Sequence, residues 1–180
     1  MADRMGFYMD MKACYGCQTC EIACKSENKL PQDVRWRRVR FIETERPQTI
    51  STLSMACNHC EDPQCLIACP TGAYSKRPDG IVVQDHNKCI GCQICIMACP
   101  YGAPVYDPVK GKNSKCDLCA ERLDQGLEPK CVEACPCGAI EYGKLSDIES
   151  RYGKIKGIKG SPEPSITNPS IAINPTDVVK

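Results

Sequence analysis

Short alternating runs of apolar and polar residues predict several strands. The segment GFYMD at residues 6–10 is typical of a strand that leads into a loop. Residues 37–44 and 50–55 predict two further strands with a turn near Pro47. These strands are too short to build a large sheet, so we expect small sheets joined by loops.

Turn residues place a hairpin in the middle of the chain. Residues 73–76 and 81–84 are expected to pair, because Pro-Asp-Gly at 78–80 favours a tight turn between them. Val105-Tyr-Asp-Pro predicts one more short strand and turn. Residues 153–180 are rich in Gly, Pro, Ser, Lys and Asn, and their apolar residues follow neither a helical nor a strand period. We expect them to form an extended arm that is ordered, if at all, against another chain.

Three stretches predict helices. Residues 19–28 are expected to form a helix with Pro31 beyond its end. A second helix is expected over residues 118–125, closed by Gly126, and a last one over 145–152. Short strands and helices together predict an α+β, loop-rich fold.

Cysteine changes this picture, because the chain has 17 cysteines in 180 residues and only 6% aromatic residues. Sixteen of them fall into four sets of four. The sets are Cys14, Cys17, Cys20 and Cys24; Cys57, Cys60, Cys65 and Cys69; Cys89, Cys92, Cys95 and Cys99; and Cys116, Cys119, Cys131 and Cys135. With little bulky material for a core, we expect bound inorganic clusters to fill part of the interior.

The third set has the spacing C-x2-C-x2-C-x3-C-P that holds [4Fe-4S] clusters. Three thiolates spaced in this way let one loop reach three irons, and Gly91 permits the turn. In two-cluster ferredoxins the fourth cysteine of such a run ligates the other cluster. One run therefore predicts a partner run.

The chain repeats itself internally. Asp10 lies four residues before Cys14, and Asp85 lies four residues before Cys89. The sequence C-P-x-G-A occurs three times, at 69–73, 99–103 and 135–139. These matches indicate duplication of one cluster-binding unit.

Several residues in and near the sets have open interpretations. His59 lies inside the bulged loop of the second set and is interpreted as a polar loop residue rather than a ligand, and His86 as a surface residue. Cys137 is left over, and a small, buried, inert side chain is preferred to a reactive or redox-sensing thiol. The basic residues around Trp36 are either a solvated strand face, which is preferred, or a docking patch for an acidic surface. They are Arg35, Arg37, Arg38 and Arg40.

Composition excludes several classes of protein. A secreted disulfide scaffold is disfavoured, because the cysteine count is odd and residues 1–10 lack the apolar region of a signal peptide. No apolar stretch approaches the ~20 residues needed to span a membrane. A formal net charge of +1 and one tryptophan do not favour nucleic-acid binding. No dinucleotide fingerprint or catalytic triad is present, so the chain is not expected to be an enzyme alone.

The four cysteine sets and the phrases M-A-C-N-H-C-E-D-P-Q-C, C-I-G-C-Q-I-C-I-M-A-C-P-Y-G-A-P and K-C-D-L-C-A-E-R resemble one family. The chain is similar, from Gly6 to about Gly153, to the iron-sulfur electron-transfer subunits of dimethyl sulfoxide reductase and its polysulfide, thiosulfate and arsenate reductase relatives. That resemblance implies two ferredoxin-like two-cluster units. The outer unit would combine residues 1–55 and 104–152, the inner unit would be residues 56–103, and 153–180 would be the tail.

The resemblance also implies four [4Fe-4S] clusters with crossed ligand sets. Cluster 1 would be held by Cys14, Cys17, Cys20 and Cys135, and cluster 2 by Cys24, Cys116, Cys119 and Cys131. Cluster 3 would be held by Cys57, Cys60, Cys65 and Cys99, and cluster 4 by Cys69, Cys89, Cys92 and Cys95.

The implied function is electron transfer between a molybdopterin (Mo/W) catalytic subunit near cluster 1 and a quinone-reactive membrane anchor near cluster 4. The chain would then be peripheral to the membrane through its partner, on a side that the sequence does not determine. Alternatives are the electron-transfer subunit of a formate dehydrogenase or hydrogenase complex and a free soluble polyferredoxin. A zinc module is disfavoured, because C-x2-C-x2-C crowds three ligands onto one loop.

Overall fold

The computed structural model describes residues 3–43, 50–177 and 179. Its strands are β1 Met5–Asp10, β2 Arg38–Glu43, β3 Ile50–Met55, β4 Tyr74–Lys76, β5 Val82–Gln84, β6 Val105–Asp107, β7 Lys112–Ser114, β8 Ile140–Lys144 and β9 Ile171–Asn174. Its α-helices are α1 Thr19–Glu27, α2 Gln64–Ile67, α3 Ile94–Ala98, α4 Ala120–Asp124, α5 Lys130–Glu133 and α6 Leu145–Tyr152. This mixture of short helices and small sheets confirms the α+β, loop-rich prediction.

A three-stranded sheet joins the two ends of the chain. Its order is β8-β1-β9, with β1 antiparallel to β8 and parallel to β9. Phe7 lies opposite both Tyr142 and Ile171. The N-terminal strand is therefore central, and both of its edges are covered by residues from the last quarter of the chain.

Antiparallel hairpins form the remaining sheets of the described residues: β2 with β3, β4 with β5, and β6 with β7. The turn between β4 and β5 has the predicted chemistry: the Gly80 N–H bonds to the Arg77 carbonyl at 2.9 Å, and Asp79 Oδ1 accepts from the Ile81 N–H at 3.1 Å. The expected turn near Pro47 and the predicted strand end at residue 44 lie outside the described residues.

Helix α6 matches the predicted range 145–152, whereas the other two predicted helices agree in position but are shorter. The helix expected at 19–28 ends at Glu27, and the one expected at 118–125 covers only Ala120–Asp124. Leu118 and Cys119 have φ of 61° and 51°, so the backbone there cannot be helical. Sequence patterns did not predict the single-turn helices α2, α3 and α5, each of which begins just before the third cysteine of a set.

Cysteines are part of the apolar core rather than an addition to it. One core cluster combines Met9, Leu118 and Ile173 with Cys20 and Cys131. A second combines Val34 and Trp36 with cysteines from three different sets, namely Cys24, Cys57 and Cys116, and Cys99 packs against it. The cysteine side chains thus form part of the interior, and the expectation that bound clusters fill another part stays a prediction.

The expectation that residues 153–180 are ordered only against another chain is wrong. β9 pairs with β1 of the same chain, and Ile171, Ala172 and Ile173 are at most 3% exposed. The strand is only four residues long, three of them apolar, and it ends before Pro175, so no period could reveal it. Its pairing partner lies more than 160 residues away, which local patterns do not encode.

A substitution in β9 tests this placement. Ile173→Ala should lower the free energy of unfolding by about 2–5 kcal/mol, because it leaves a cavity beside β1. Ile166→Ala, at a side chain that is 53% exposed, should change it by no more than about 0.5 kcal/mol. Anaerobic guanidinium titrations followed by circular dichroism compare the two. Equal midpoints for both variants would contradict packing of β9 on its own chain.

Candidate metal centres

The loops of the first and third cysteine sets have the same backbone. Gly16 and Gly91 have φ of 76° and 72°, and Gln18 and Gln93 both have φ of 62°. A left-handed conformation is unfavourable for glutamine. Its recurrence at the same place in both sets indicates that this loop shape, which carries three cysteines, is what the repeated sequence specifies.

Aspartates brace the approach to these loops. Asp10 Oδ1 accepts hydrogen bonds from the backbone N–H groups of Lys12 at 2.8 Å and Ala13 at 3.2 Å. Asp85 Oδ1 accepts from the Asn87 N–H at 2.9 Å. In the first and third sets, the aspartate four residues before the first cysteine therefore closes the turn that leads into the loop.

The C-P-x-G-A repeats aim backbone N–H groups at sulfur. Their glycines have φ of 59°, 59° and 60° at Gly72, Gly102 and Gly138. Ala73 N–H donates to Cys69 Sγ at 3.4 Å, and Ala103 N–H donates to Cys99 Sγ at 3.5 Å. N–H groups that point at sulfur stabilise thiolate, which is the form that binds iron.

One cavity is lined by cysteines of the second and third sets. About 360 Å³ in volume, it is bordered by Cys57, Cys60, Cys65 and Cys99. Val82 and Pro104 form apolar walls, and Lys115 contributes a buried cation. Three of the four cysteines are consecutive in the second set, and the fourth is the last cysteine of the third set.

A second cavity has the reciprocal composition. Its volume is about 260 Å³, and its cysteines are Cys69, Cys89, Cys92 and Cys95. Tyr74 lies in the wall, and its buried hydroxyl has no oxygen or nitrogen partner among the residues that the structure describes, although it opposes the rise that burial causes in the pKa of the Cys95 thiol. A buried hydroxyl without a partner is unfavourable. Sulfide or thiolate sulfur would accept its hydrogen bond, so the wall fits an iron-sulfur cluster.

The cysteines of the first and fourth sets are also interleaved. Cys14, Cys20, Cys131 and Cys135 pack in one core cluster, whereas Cys24 and Cys116 pack together in another. The charges of Cys131 and Cys119 act on Cys24, and that of Cys135 acts on Cys20. Cys17, of the first set, is exposed to solvent.

Burial opposes ionisation of these thiols. It raises the pKa of Cys24, Cys60 and Cys65 to about 12 each, and neighbouring thiols act in the same direction. The pKa of Cys119 is raised to about 11 for the same first reason. Thiolates in such an interior need nearby positive charge, and iron bound to sulfur supplies it. The two cavities that are each lined by four cysteines therefore fit [4Fe-4S] clusters.

The thiol groups follow one another through the molecule. Cys24 and Cys116 share a core cluster with Cys57 and Cys99. Cys65 in turn packs in a core cluster with Cys95, and Cys69 packs against that cluster. Neighbouring groups of cysteines are therefore in contact from one core cluster to the next, and they form a continuous succession of thiol groups.

Two side chains near these thiols, those of Arg37 and His59, are buried, and the sequence predicted a different environment for the first of them. Arg37 is 2% exposed and His59 is 1% exposed. A solvated strand face is therefore wrong for Arg37, which directly precedes β2, whereas Arg40 in β2 is exposed. His59 lies in the loop as expected, and its Nδ1 accepts a hydrogen bond from the Val82 N–H at 3.1 Å. The residues around Arg37 come from distant cysteine sets, so its own sequence neighbourhood carried no signal of burial.

Cys137 is half-buried rather than fully buried as expected, and its sulfur lies 3.7 Å from that of Cys135. Burial raises the pKa of Cys137, and the Ala139 N–H opposes that shift. His86 is exposed, as expected.

A model of the 4Fe-4S dicluster domain matches residues 48–145. The protein is a member of this family. Its bound groups are therefore [4Fe-4S] clusters, and the function of this 4Fe-4S dicluster protein is electron transfer. It is an electron-transfer subunit and is not catalytic on its own. The clusters also account for four-cysteine cavities with apolar walls and N–H donors aimed at sulfur.

Curated relatives match nearly the whole chain. The B component of anaerobic dimethyl sulfoxide reductase from Escherichia coli is 40% identical over 97% of this chain and 90% of its own length. The B component of polysulfide reductase from Wolinella succinogenes is 39% identical over 97% of this chain and 96% of its own. The B component of tetrathionate reductase from Salmonella typhimurium is 39% identical over 82% of this chain and 61% of its own. The expectation that similarity ends near Gly153 is therefore wrong, because 97% coverage includes most of the tail.

The loop at Gly91 provides a test of the site. A Cβ at this residue would lie 2.2 Å from the Gly111 carbonyl oxygen. Gly91→Ala should therefore reduce iron and sulfide per chain by roughly one cluster's share. Gly126→Ala is the matched control, because φ is +76° there but no atom lies within 4 Å of its Cβ. Colorimetric iron and sulfide assays on anaerobically purified protein compare them; equal contents would show that the steric contact does not shape the site.

Proposed function

We propose that the chain holds four [4Fe-4S] clusters with crossed ligand sets. The assignments are Cys14, Cys17, Cys20 and Cys135 for cluster 1; Cys24, Cys116, Cys119 and Cys131 for cluster 2; Cys57, Cys60, Cys65 and Cys99 for cluster 3; and Cys69, Cys89, Cys92 and Cys95 for cluster 4. The two cavities with reciprocal cysteine linings support clusters 3 and 4. Packing of Cys14, Cys20 and Cys135 in one core cluster, and of Cys24 and Cys116 in another, supports crossing between the first and fourth sets. Cys131 packs in the first of these core clusters, so its assignment to cluster 2 rests on the family resemblance.

The proposal includes a division into two ferredoxin-like units. Residues 1–55 and 104–152 form the outer unit, residues 56–103 form the inner unit, and residues 153–180 follow as a C-terminal segment. Pairing of β1 with β8 supports the discontinuous outer unit, because it connects the two halves of that unit directly. Pairing of β4 with β5 inside residues 56–103 supports a locally built inner unit.

The clusters connect a molybdopterin (Mo/W) catalytic subunit to a quinone-reactive membrane anchor in an anaerobic respiratory oxidoreductase. The observation that carries this function is the continuous succession of thiol groups, which extends from the first and fourth sets to the cavity at Cys69. A carrier with one exchange surface does not need such a succession. The names of the relatives, each one component of a reductase, support a place in a complex.

Bound [4Fe-4S] clusters would supply one-electron exchange. The chain's own residues hold the ligand thiolates at fixed positions, exclude water with apolar walls and direct N–H groups at sulfur. Among the described residues, no helix is both long and apolar enough to cross a membrane. Membrane association, on either side, would then come through the anchor subunit.

Anaerobic purification from the native host tests this assignment of partners. We expect a large molybdopterin-containing subunit and an integral membrane subunit to co-purify with the chain, and added quinol to reduce its clusters. A formate dehydrogenase or hydrogenase partner instead would contradict the reductase assignment. A cluster-loaded chain that elutes alone at its monomer mass would indicate a free polyferredoxin.

Exchange of single cysteines tests the crossed ligand sets. Cys99→Ser should damage the cluster of Cys57, Cys60 and Cys65 and leave the one beside Cys95 intact. Cys69→Ser is the matched control, because it occupies the same position of the C-P-x-G-A repeat. It should damage the cluster of Cys89, Cys92 and Cys95.

Electron paramagnetic resonance of reduced protein, with variants of Cys57 and Cys89 as references for the two signals, distinguishes the clusters. Loss of the Cys89-linked signal in Cys99→Ser would show that each run keeps its own four cysteines and would refute crossing.

A further inference from the structure

The Arg37 side chain is a buried positive charge that has no carboxylate partner in the part of the chain that the structure describes. It is 2% exposed and directly precedes β2. No aspartate or glutamate of the described ranges 3–43, 50–177 and 179 forms an ion pair with it, whereas its neighbour Arg35 pairs with Glu21 at 2.6 Å. A buried, unpaired charge is strongly destabilising, so the site must present negative charge to Arg37.

Neutral contacts satisfy only part of the guanidinium. Nη1 donates to the Ser54 carbonyl at 3.3 Å and to Ser54 Oγ at 3.1 Å. The guanidinium carbon lies 4.7 Å from the centre of the Phe7 ring. Nε and Nη2 are buried with no hydrogen-bond partner in the part of the chain that the structure describes. Two donor nitrogens are therefore left without an oxygen or nitrogen acceptor among the described residues.

Besides Ser54 and Phe7, four cysteine side chains interact electrostatically with Arg37. Its positive charge lowers the pKa of Cys20 and Cys24, although burial raises both more strongly. Burial lowers the pKa of Arg37 itself, but the negative charges of four thiols raise it further, so the net shift is upward. Those thiols are Cys131, Cys116, Cys20 and Cys24, in decreasing order of effect.

The Ser54 hydroxyl connects Arg37 to one of these sulfurs. Ser54 Oγ, which accepts from Arg37, lies 3.3 Å from Cys20 Sγ. Under the proposed ligand assignment, Cys20 belongs to cluster 1, while the other three thiols belong to cluster 2. Arg37 is thus positioned between two ligand shells rather than inside one.

We propose that the Arg37 guanidinium is the shared internal counter-charge of clusters 1 and 2 and that it raises the reduction potential of both. This inference depends on the proposed ligand assignment. Reduction adds one negative charge to a cluster, and a fixed positive charge nearby stabilises the reduced form. Arginine suits the role, because its charge persists in a buried site and its planar donors can face two directions at once.

Anaerobic redox titration of the holoprotein, followed by electron paramagnetic resonance, tests the role of Arg37. Arg37→Gln keeps a donor for Ser54 but removes the charge. We expect it to lower the one-electron reduction equilibrium constants of both outer clusters at least tenfold, a shift of about 59 mV. Arg37→Lys keeps the charge and should retain potentials closer to wild type. Arg40→Gln, the same change at an exposed residue of β2, should leave all potentials unchanged.

The outcomes separate the inference from the cluster assignment. Full iron and sulfide in Arg37→Gln with unchanged potentials would overturn the role of Arg37 while leaving the four clusters in place. An equal fall in Arg37→Lys and Arg37→Gln would also overturn it, because charge would not be the cause. Arg37→Gln could instead lose clusters 1 and 2. In that case, Arg37→Lys with both clusters at wild-type potential would support the need for a positive charge. Loss of both clusters from Arg37→Lys as well would refute that need. Absence of clusters from the wild-type chain would instead refute the proposed function.

Discussion

Burial of cysteine sulfur is the constraint on which the rest of this structure depends. Thiols such as Cys24, Cys60 and Cys65 lie where an uncompensated thiolate is strongly disfavoured, with the pKa of each raised to about 12. Iron resolves the conflict by supplying positive charge inside an apolar interior. The short helices, small sheets and left-handed loop residues then serve to aim sulfur into shared cavities, and the apolar core is built around those cavities.

Duplication explains how a chain of 180 residues repeats this solution. The loops at Gly16 and Gly91 have nearly the same φ, and the glycines of all three C-P-x-G-A copies agree within one degree. What differs is the segment between the second and third cysteines of a set. That gap is short in the first and third sets and holds helix α4 in the fourth. The repeated loops thus keep their geometry while the connections change.

The sequence allowed prediction of features whose causes are local. The β4–β5 hairpin followed from Pro-Asp-Gly, and the cluster loops followed from cysteine spacing. Burial of Arg37 and pairing of β9 could not be predicted in this way, because both depend on residues far away in the chain. Arg37 interacts electrostatically with Cys116 and Cys131, and β9 pairs with β1, which lies more than 160 residues away in the sequence. The polar residues beside Arg37 in the sequence are typical of a solvated strand, and those around β9 are typical of an extended arm.

The content of iron, acid-labile sulfide and zinc per chain, measured on anaerobically purified wild-type protein, tests the four-cluster assignment most directly. Four cubes require about sixteen irons and about sixteen sulfides, with no stoichiometric zinc. Half of those amounts would mean that only one of the two ferredoxin-like units carries clusters. Zinc bound to the cysteines without sulfide would contradict the assignment altogether.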